Sequence, residues 1–313
     1  MFLGITLRSV QNWRKRGLTD QRKGSARYVE HRLTAEEEES FYQKANEPRF
    51  CDMTPAQIVA TLAGEGTYIA SISTLYRILR KREALEHRRQ SKKPRKAHVA
   101  HTYTVTERDQ VYAWDICWLK ADVRGLFHYA YTIIDLFDRS VVGWSIEEEE
   151  SDEHSARLFA RVTRDLNVRP TIVHADNGHP MRGVTLAVFL DSLMISRSHS
   201  RPRCSNDNAF IESYHKTMKY TVGYPNTFSS LDHARRWYAD FVHWYNTQHL
   251  HAGLGYVTPH QRRSGEAEAI YAARNRTIVE AREKNPSRWR TKRTYVYKSN
   301  SVSFQYRPAI QAA

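Results

Sequence analysis

One carboxylate in the middle of an apolar strand sets the terms for this fold. In Val111-Tyr112-Ala113-Trp114-Asp115-Ile116-Cys117-Trp118-Leu119-Lys120 the period of two marks a half-buried strand. Tyr112, Trp114, Ile116 and Trp118 share one face, and Asp115 lies on the opposite face. An aspartate in that position is costly unless it is paired or bound to a metal ion.

The segments that follow define an architecture around it. Phe127 to Ile134 and Val141 to Ile146 read as two more strands, joined closely enough for an antiparallel meander. Ser151-Asp152-Glu153-His154 caps a helix that runs to about Leu166. The apolar run Thr171-Ile172-Val173-His174-Ala175 reads as a buried strand. A helix over 184–194, a short strand near 195–199 and a helix from Asn206 to Lys219 complete the order β-β-β-α-β-α-β-α. That order predicts an α/β fold: a mixed five-stranded sheet with flanking helices.

Two further acidic residues stand where such a sheet places functional groups. Asp176 ends the fourth strand, in His174-Ala175-Asp176-Asn177-Gly178, and strand ends of α/β sheets are where ligands meet polar residues. Glu212 sits in the last helix. At about 100° per residue, Phe210, Ile211, Tyr214 and Met218 gather on one side and Asn208, Glu212, Lys216 and Lys219 on the other. A carboxylate flanked by an amide and two lysines suits a metal ion beside a phosphate backbone. The alternative is an ordinary Glu212–Lys216 surface pair one turn apart.

Upstream of the sheet the chain is helical and basic. Ser9 to Gly17 reads as a short basic helix with a serine cap and a glycine stop, either part of a helix-turn-helix or a basic N-terminal segment (1–33). Thr34-Ala35-Glu36-Glu37 and Thr54-Pro55-Ala56-Gln57 start two helices. A turn follows at Gly64-Glu65-Gly66, and then a basic helix over Ser73 to Arg82 with Leu75, Ile78 and Leu79 on one face. Residues 34–85 thus fit a helix-turn-helix DNA-binding domain whose second helix, with Arg77 and Lys81 off the apolar face, can enter a major groove. A small helical bundle with a solvated basic face is the other reading. Residues 86–108 form a basic linker: Arg88, Arg89, Lys92, Lys93, Arg95 and Lys96 crowd together without apolar periodicity, which suits phosphate contacts. The catalytic unit is expected over 109–265. A basic tail over 266–313 contains a helix near 266–284 and alternating runs at Thr294–Tyr297 and Val302–Tyr306 that read as a terminal hairpin.

Composition narrows the partners. The 313 residues carry a formal charge of +14 and a pI near 9.7. That balance suggests a polyanion, with nucleic acid ahead of an acidic membrane surface. No run approaches the ~18 apolar residues of a membrane span, and Met1 to Ile5 is too short for a secretory signal. A cytoplasmic protein is expected. Cys51, Cys117 and Cys204 form no CxxC pair, which argues against a disulfide scaffold or a zinc ribbon. Asp135 and Asp138 fit turn bonds, and Glu147 to Glu150 a solvated run. His249, His251 and His260 are spaced too loosely for a metal site.

Between Asp176 and Glu212 lie 35 residues, positions 177 to 211. An aspartate on the first strand, an aspartate after the fourth and a glutamate 35 residues on resembles the DD(35)E pattern of the retroviral-integrase superfamily and, within it, the bacterial insertion-sequence transposases of family three. The flanking words carry the resemblance: Trp114-Asp115-Ile116, His174 to Met181, Ser200-Arg201-Pro202, Ser205 to Ser213, Trp244-Tyr245-Asn246 and Leu254-Gly255-Tyr256-Val257-Thr258-Pro259. It covers roughly residues 50–265. Leu250 between His249 and His251, and His179, depart from the family's usual residues.

The resemblance implies a ribonuclease H-like core that cleaves and joins DNA strands. Two Mg²⁺ ions, with Mn²⁺ as a substitute, would be held by Asp115, Asp176 and Glu212, with Asp115 bridging. In-line phosphodiester displacement fits such a site, and Mg²⁺ prefers oxygen ligands. Lys216 and Lys219 match positions where integrases hold DNA ends, with Asn208 and Asn177 as further DNA contacts; His174 and Asn177 could also orient the metal ligands, or His174 could simply be a hydrogen-bonded strand histidine. Double-stranded DNA is the implied partner, with at least a dimer needed to pair two ends. No structural zinc is expected. Two rival functions stay open: a non-catalytic helix-turn-helix DNA-binding protein, and a ribonuclease H-like nuclease that only hydrolyses.

Overall fold

The computed structural model describes residues 7–16, 32–50, 52–85, 102–200, 208–289, 295–299 and 301–305. Helix α1 (Leu7–Arg16) begins two residues before Ser9, so that serine lies inside the helix and not at its start. Helices α2 (Ala35–Ala45) and α3 (Pro55–Gly64) start as expected. Thr34 with Glu37 and Thr54 with Gln57 each form a capping box that satisfies first-turn N–H groups. Helix α4 (Ile72–Lys81) begins earlier than expected, because Ser71 is its cap. Phe41, Ile58, Leu62, Leu75, Ile78 and Leu79 close a small core between these three helices.

The large sheet follows a short strand β1 (Thr102–Val105) and consists of β2 (Val111–Lys120), β3 (Phe127–Asp135), β4 (Val141–Glu147), then, after helix α5 (Asp152–Leu166), β5 (Ile172–Ala175) and, after α6 (Val184–Ser192), β6 (Ser196–His199). The spatial order is β4-β3-β2-β5-β6. β2, β3 and β4 are antiparallel neighbours, while β5 runs parallel to both β2 and β6. This is the mixed five-stranded sheet that the element order predicts.

Each face of the sheet is covered. Tyr112, Trp114, Tyr131 and Val173 pack under α5 and α6 through Phe159, Val162, Leu186 and Leu190. Helix α5 crosses β4 so closely that a Cβ on Gly143 would collide with Val162. The opposite face packs against α7 (Ala209–Lys219) and α8 (Leu231–Thr247): Val111, Ala113, Cys117 and Leu119 meet Ile211, Tyr214, Met218, Tyr238 and Phe241. Asp115 is the one β2 residue on this face whose side chain is charged.

The C-terminal part departs from expectation. After α9 (Pro259–Arg263) and α10 (Ala267–Lys284), strand β7 (Val302–Gln305) pairs antiparallel with β1, Thr102 opposite Gln305 and Val105 opposite Val302. The expected hairpin between 294–297 and 302–306 is therefore not the pairing formed. Alternation marks a strand's two faces and says nothing about its partner. Helix α10 does not trail from the body. Tyr271 and Ile278 share a core with Ala60 and Ala63 of α3 and with Leu254, Val257 and Tyr297.

Asp135 and Asp138 accept turn bonds from Phe137 N at 2.7 Å and Ser140 N at 2.8 Å. Both are fully buried, and Arg263 of α9 spans them at 3.2 and 2.8 Å and reaches Asp109 at 2.5 Å. Burial first, and then Asp138, pushes the Asp135 carboxyl upward. The cluster pins α9 to the end of the sheet.

Candidate metal and nucleic-acid site

The β2–β5 register brings two carboxylates together. Val111 pairs with Ile172, Tyr112 with Val173 and Ala113 with His174. Two residues further along the same parallel register, Asp115 and Asp176 stand side by side, Asp176 one residue beyond the end of β5. Helix α7 packs across β2 and carries Glu212 in its first turn.

Charge coupling follows from this placement. Burial, then the nearby Asp176, and more weakly Glu212, push the Asp115 carboxyl up to about 7. Burial and Asp176 also raise Glu212. Two contacts hold the pair of aspartates: Ile116 N donates to Asp115 Oδ1 at 2.9 Å, and Gly178 N donates to Asp176 Oδ1 at 2.8 Å. The backbone of Asp176 is fixed as well, since its carbonyl lies 3.0 Å from His199 Nδ1, which must therefore carry the proton.

Sequence reasoning missed His215. It is buried on α7 with Nδ1 3.5 Å from Asp115 Oδ2. Burial first, and then the charge of Lys219, drives its imidazole down to about 3. A neutral ring thus abuts Asp115 without cancelling its charge. The available signal was position: 215 falls between Ile211 and Met218 on the sheet-facing side of the helix. Glu150 was also missed as a neighbour of the site. It accepts from Trp118 Nε1 at 2.6 Å and adds to the field at Asp115.

The other expected residues separate. Lys216 and Lys219 are exposed on α7, and Lys219 reaches the thiol of Cys117, which burial pushes up. Asn208 does not share their outward face. It is only 4% exposed, its Nδ2 lies 3.4 Å from the Trp114 carbonyl, and its buried Oδ1 has no partner among the described residues. Position 208 precedes α7 in a non-helical conformation, so the helical-angle reading that turned it outward does not apply there. Asn177 spends its amide on the Ser200 carbonyl at 2.5 Å. His174 is a buried strand histidine bonded to Ser198 Oγ at 2.9 Å.

On α4, Arg77 is exposed, with Tyr76 and Arg80 beside it on the same face. Lys81 instead lies 3.5 Å from Glu38 of α2. Arg88, Arg89, Lys92 and Lys93 lie outside the described residues.

The donor set tests whether a metal ion fits. Asp115, Asp176 and Glu212 supply only oxygen, repel one another, and form no ion pair with a lysine or arginine among the described residues. A hard divalent cation answers all three features. Among the described residues no three histidine, cysteine or acidic side chains are placed to hold one ion, so the fit rests on the donor type and the mutual charge coupling of these carboxylates. No helix of the described residues is long and apolar enough to cross a membrane.

Comparison with known proteins finds partial matches. Residues 105–205 and residues 193–259 each match a family described as an integrase core domain. Each match covers a third of the chain or less, and the two overlap at residues 193–205. The chain is also similar to insertion-sequence transposases. The chain is 27% identical over 159 residues to the transposase for insertion sequence element IS904 of Lactococcus lactis subsp. lactis, covering 50% of this chain and 62% of that protein. It is 28% identical over 155 residues to transposase InsF for insertion sequence IS3A of Escherichia coli, covering 49% of this chain and 53% of that protein. The chain thus spans less than two thirds of these relatives. Among solved structures it is similar to the HTLV-2 integrase catalytic core domain in complex with magnesium, at 18% identity and a TM-score of 0.38, over 50% of this chain and 96% of that one.

Proposed function

We propose that this chain is a transposase: a metal-dependent polynucleotidyl transferase that cleaves DNA strands at the ends of an insertion sequence and joins them to a target. The observation that carries the reading is the register of β5 on β2, which sets Asp115 beside Asp176 under Glu212 within the residues that match an integrase core domain. Asp115 with Asp176, and Asp115 with Glu212, would hold two Mg²⁺ ions. When bound, such ions activate an attacking oxygen and stabilise the leaving one in an in-line displacement.

The protein's own groups do the rest. Three carboxylates that repel one another in the metal-free protein hold that charge in place for the cations. His215 keeps the Asp115 side chain against α7 while adding no positive charge. Lys216, one turn past Glu212, is exposed where a phosphate backbone would lie, while Lys219, two turns past it, is exposed but reaches back toward Cys117. Water as nucleophile gives cleavage, and a DNA 3′-hydroxyl gives strand transfer; the site serves both, since only the attacking oxygen differs. Helix α4, with Arg77, would contact double-stranded DNA, and pairing two element ends calls for at least a dimer.

Asp176→Asn tests the reading. It removes one charge at nearly constant shape, so joining of a labelled terminal-repeat DNA in Mg²⁺ or Mn²⁺ should disappear while DNA binding persists. Metal-dependent joining that survives the substitution would sink the assignment. Binding without cleavage by the unaltered protein in either metal would favour a non-catalytic DNA-binding protein.

A further inference from the structure

The outward side of α4 and the carboxylate site are joined in sequence only by the segment 86–101, yet a second, non-covalent connection links them through the C-terminal half. Leu75, Ile78 and Leu79 of α4 share one core with Ile58, Val59 and Leu62 of α3. On its other side, α3 sinks Ala60 and Ala63 into the core formed by Leu254, Val257, Tyr271, Ile278 and Tyr297. The small residues matter, because an alanine face lets the two helices approach closely.

Polar contacts lock the same seam. Gln57 Nε2 donates to the Leu250 carbonyl at 2.7 Å, and Arg288 pairs with Glu37 at 2.5 Å. Tyr68, in the turn before α4, packs on Trp289 with ring centroids 6.0 Å apart. Arg274 lies beside Gly64 and donates to the Tyr256 carbonyl at 2.7 Å. From there the connection reaches the sheet directly, since Arg263 clamps Asp109, Asp135 and Asp138. Asn246 of α8 also exchanges two bonds with the Val141 backbone, at 2.9 and 3.0 Å.

We infer that the α3–α10 seam is a ruler: it holds the DNA-contacting face of α4 (Tyr76, Arg77 and Arg80) at a fixed offset from Asp115. The position of the cut relative to the contacted sequence is then set by this packed body and not by the length of the 86–101 segment. Side chains packed to interior density leave few alternative arrangements, whereas a connection through the chain alone would let the offset vary with its length. The inference rests on the transposase reading for its DNA readout, and the seam itself has a readout of its own.

The test uses the full chain with Gly-Ser insertions of increasing length placed after Leu85, each assayed for the phosphodiester cut on labelled terminal-repeat DNA. With the seam intact, every insertion variant should cut at the same phosphodiester. Ala63→Arg, which forces a guanidinium into the seam, should scatter the cut and make its position follow the insertion length. Gln57→Glu provides a milder break that keeps the helix cap and sets a carboxylate against the Leu250 carbonyl; it should scatter the cut less, in the same direction. A cut that moves with linker length in the unaltered seam overturns the inference, as does a cut that stays fixed in both seam variants at every length. Calorimetry separates this from the functional reading. Helical module and core should unfold in one transition in the unaltered protein and in two in Ala63→Arg, and two independent transitions in the unaltered protein refute the seam. If the unaltered protein cuts no DNA, it is the transposase reading that fails, and the calorimetric result alone decides whether the seam couples the two parts.

Discussion

Asp115→Asn should make the metal-free protein more stable while abolishing strand cleavage, and the size of the gain follows from the surroundings of the carboxylate. Burial and Asp176 lift its carboxyl from the ordinary 3.8 to about 7. At about 1.4 kcal/mol per tenfold change in proton affinity, holding the ionised form there costs at most about 4 kcal/mol. The side chain is 21% exposed, and solvent screening of that part brings a working figure to about 2 kcal/mol. The folded state binds the proton more tightly than the unfolded chain, so stability falls as pH rises from about 4 to about 7, and the whole penalty is present above that. Asparagine carries no charge, and its Oδ1 can still accept from Ile116 N.

The assay is thermal unfolding in EDTA across pH. At pH 8 the variant should melt about 4–8 °C above the unaltered protein, given about 2–4 °C per kcal/mol for a chain of this scale, and the gap should close as pH approaches 4. Added Mg²⁺ should raise the melting temperature of the unaltered protein and leave the variant nearly unmoved. The same proton competes with the metal, so cleavage should require more Mg²⁺ below about pH 7. A variant no more stable than the unaltered protein at pH 8 in EDTA, or equal stabilisation of both by Mg²⁺, would refute the reasoning that Asp115 is an uncompensated carboxylate awaiting a cation.

Three further outcomes follow from individual contacts. His215→Ala should lower cleavage about 10–100-fold and shift the Mg²⁺ dependence to higher concentration; unchanged Mg²⁺ dependence would mean that the ring only fills space. Arg263→Ala leaves Asp135 and Asp138 buried without their cation and should cost about 3–5 kcal/mol in urea unfolding, with a smaller loss at low pH, where Asp135 takes up its proton; a loss under 1 kcal/mol at neutral pH would argue against the clamp. Gly255 has φ +65° and its Cβ position faces the Lys298 carbonyl, so Gly255→Ala should destabilise by about 1–3 kcal/mol, read as a lower melting temperature.

What could be read in advance, and what could not, divides along physical lines. The strands of the sheet were legible because their periods of two are bounded by short connections, and Asp115 stood out because a carboxylate on that face carries a cost that ordinary core residues do not. Its juxtaposition with Asp176 was not legible from spacing alone: it exists only because β5 runs parallel to β2 in the register that sets Ala113 against His174. His215 escaped because a histidine between Ile211 and Met218 looks like any other core-facing residue until the sheet beneath it is known to carry Asp115. Asn208 was turned outward by extending helical angles one residue past the start of α7. The pairing of β7 with β1 joins residues about two hundred positions apart, which no local pattern encodes. The α3–α10 seam hid for a related reason: Ala60 and Ala63 are small enough to read as helix filler, and only a partner helix resting on them shows that their smallness is what lets the two helices meet. Residues that do chemistry betray themselves by being expensive where they stand, whereas those that hold the chemistry in place look ordinary. For this chain the second group, His215 and the seam, is therefore where mutation should tell most about how the site works.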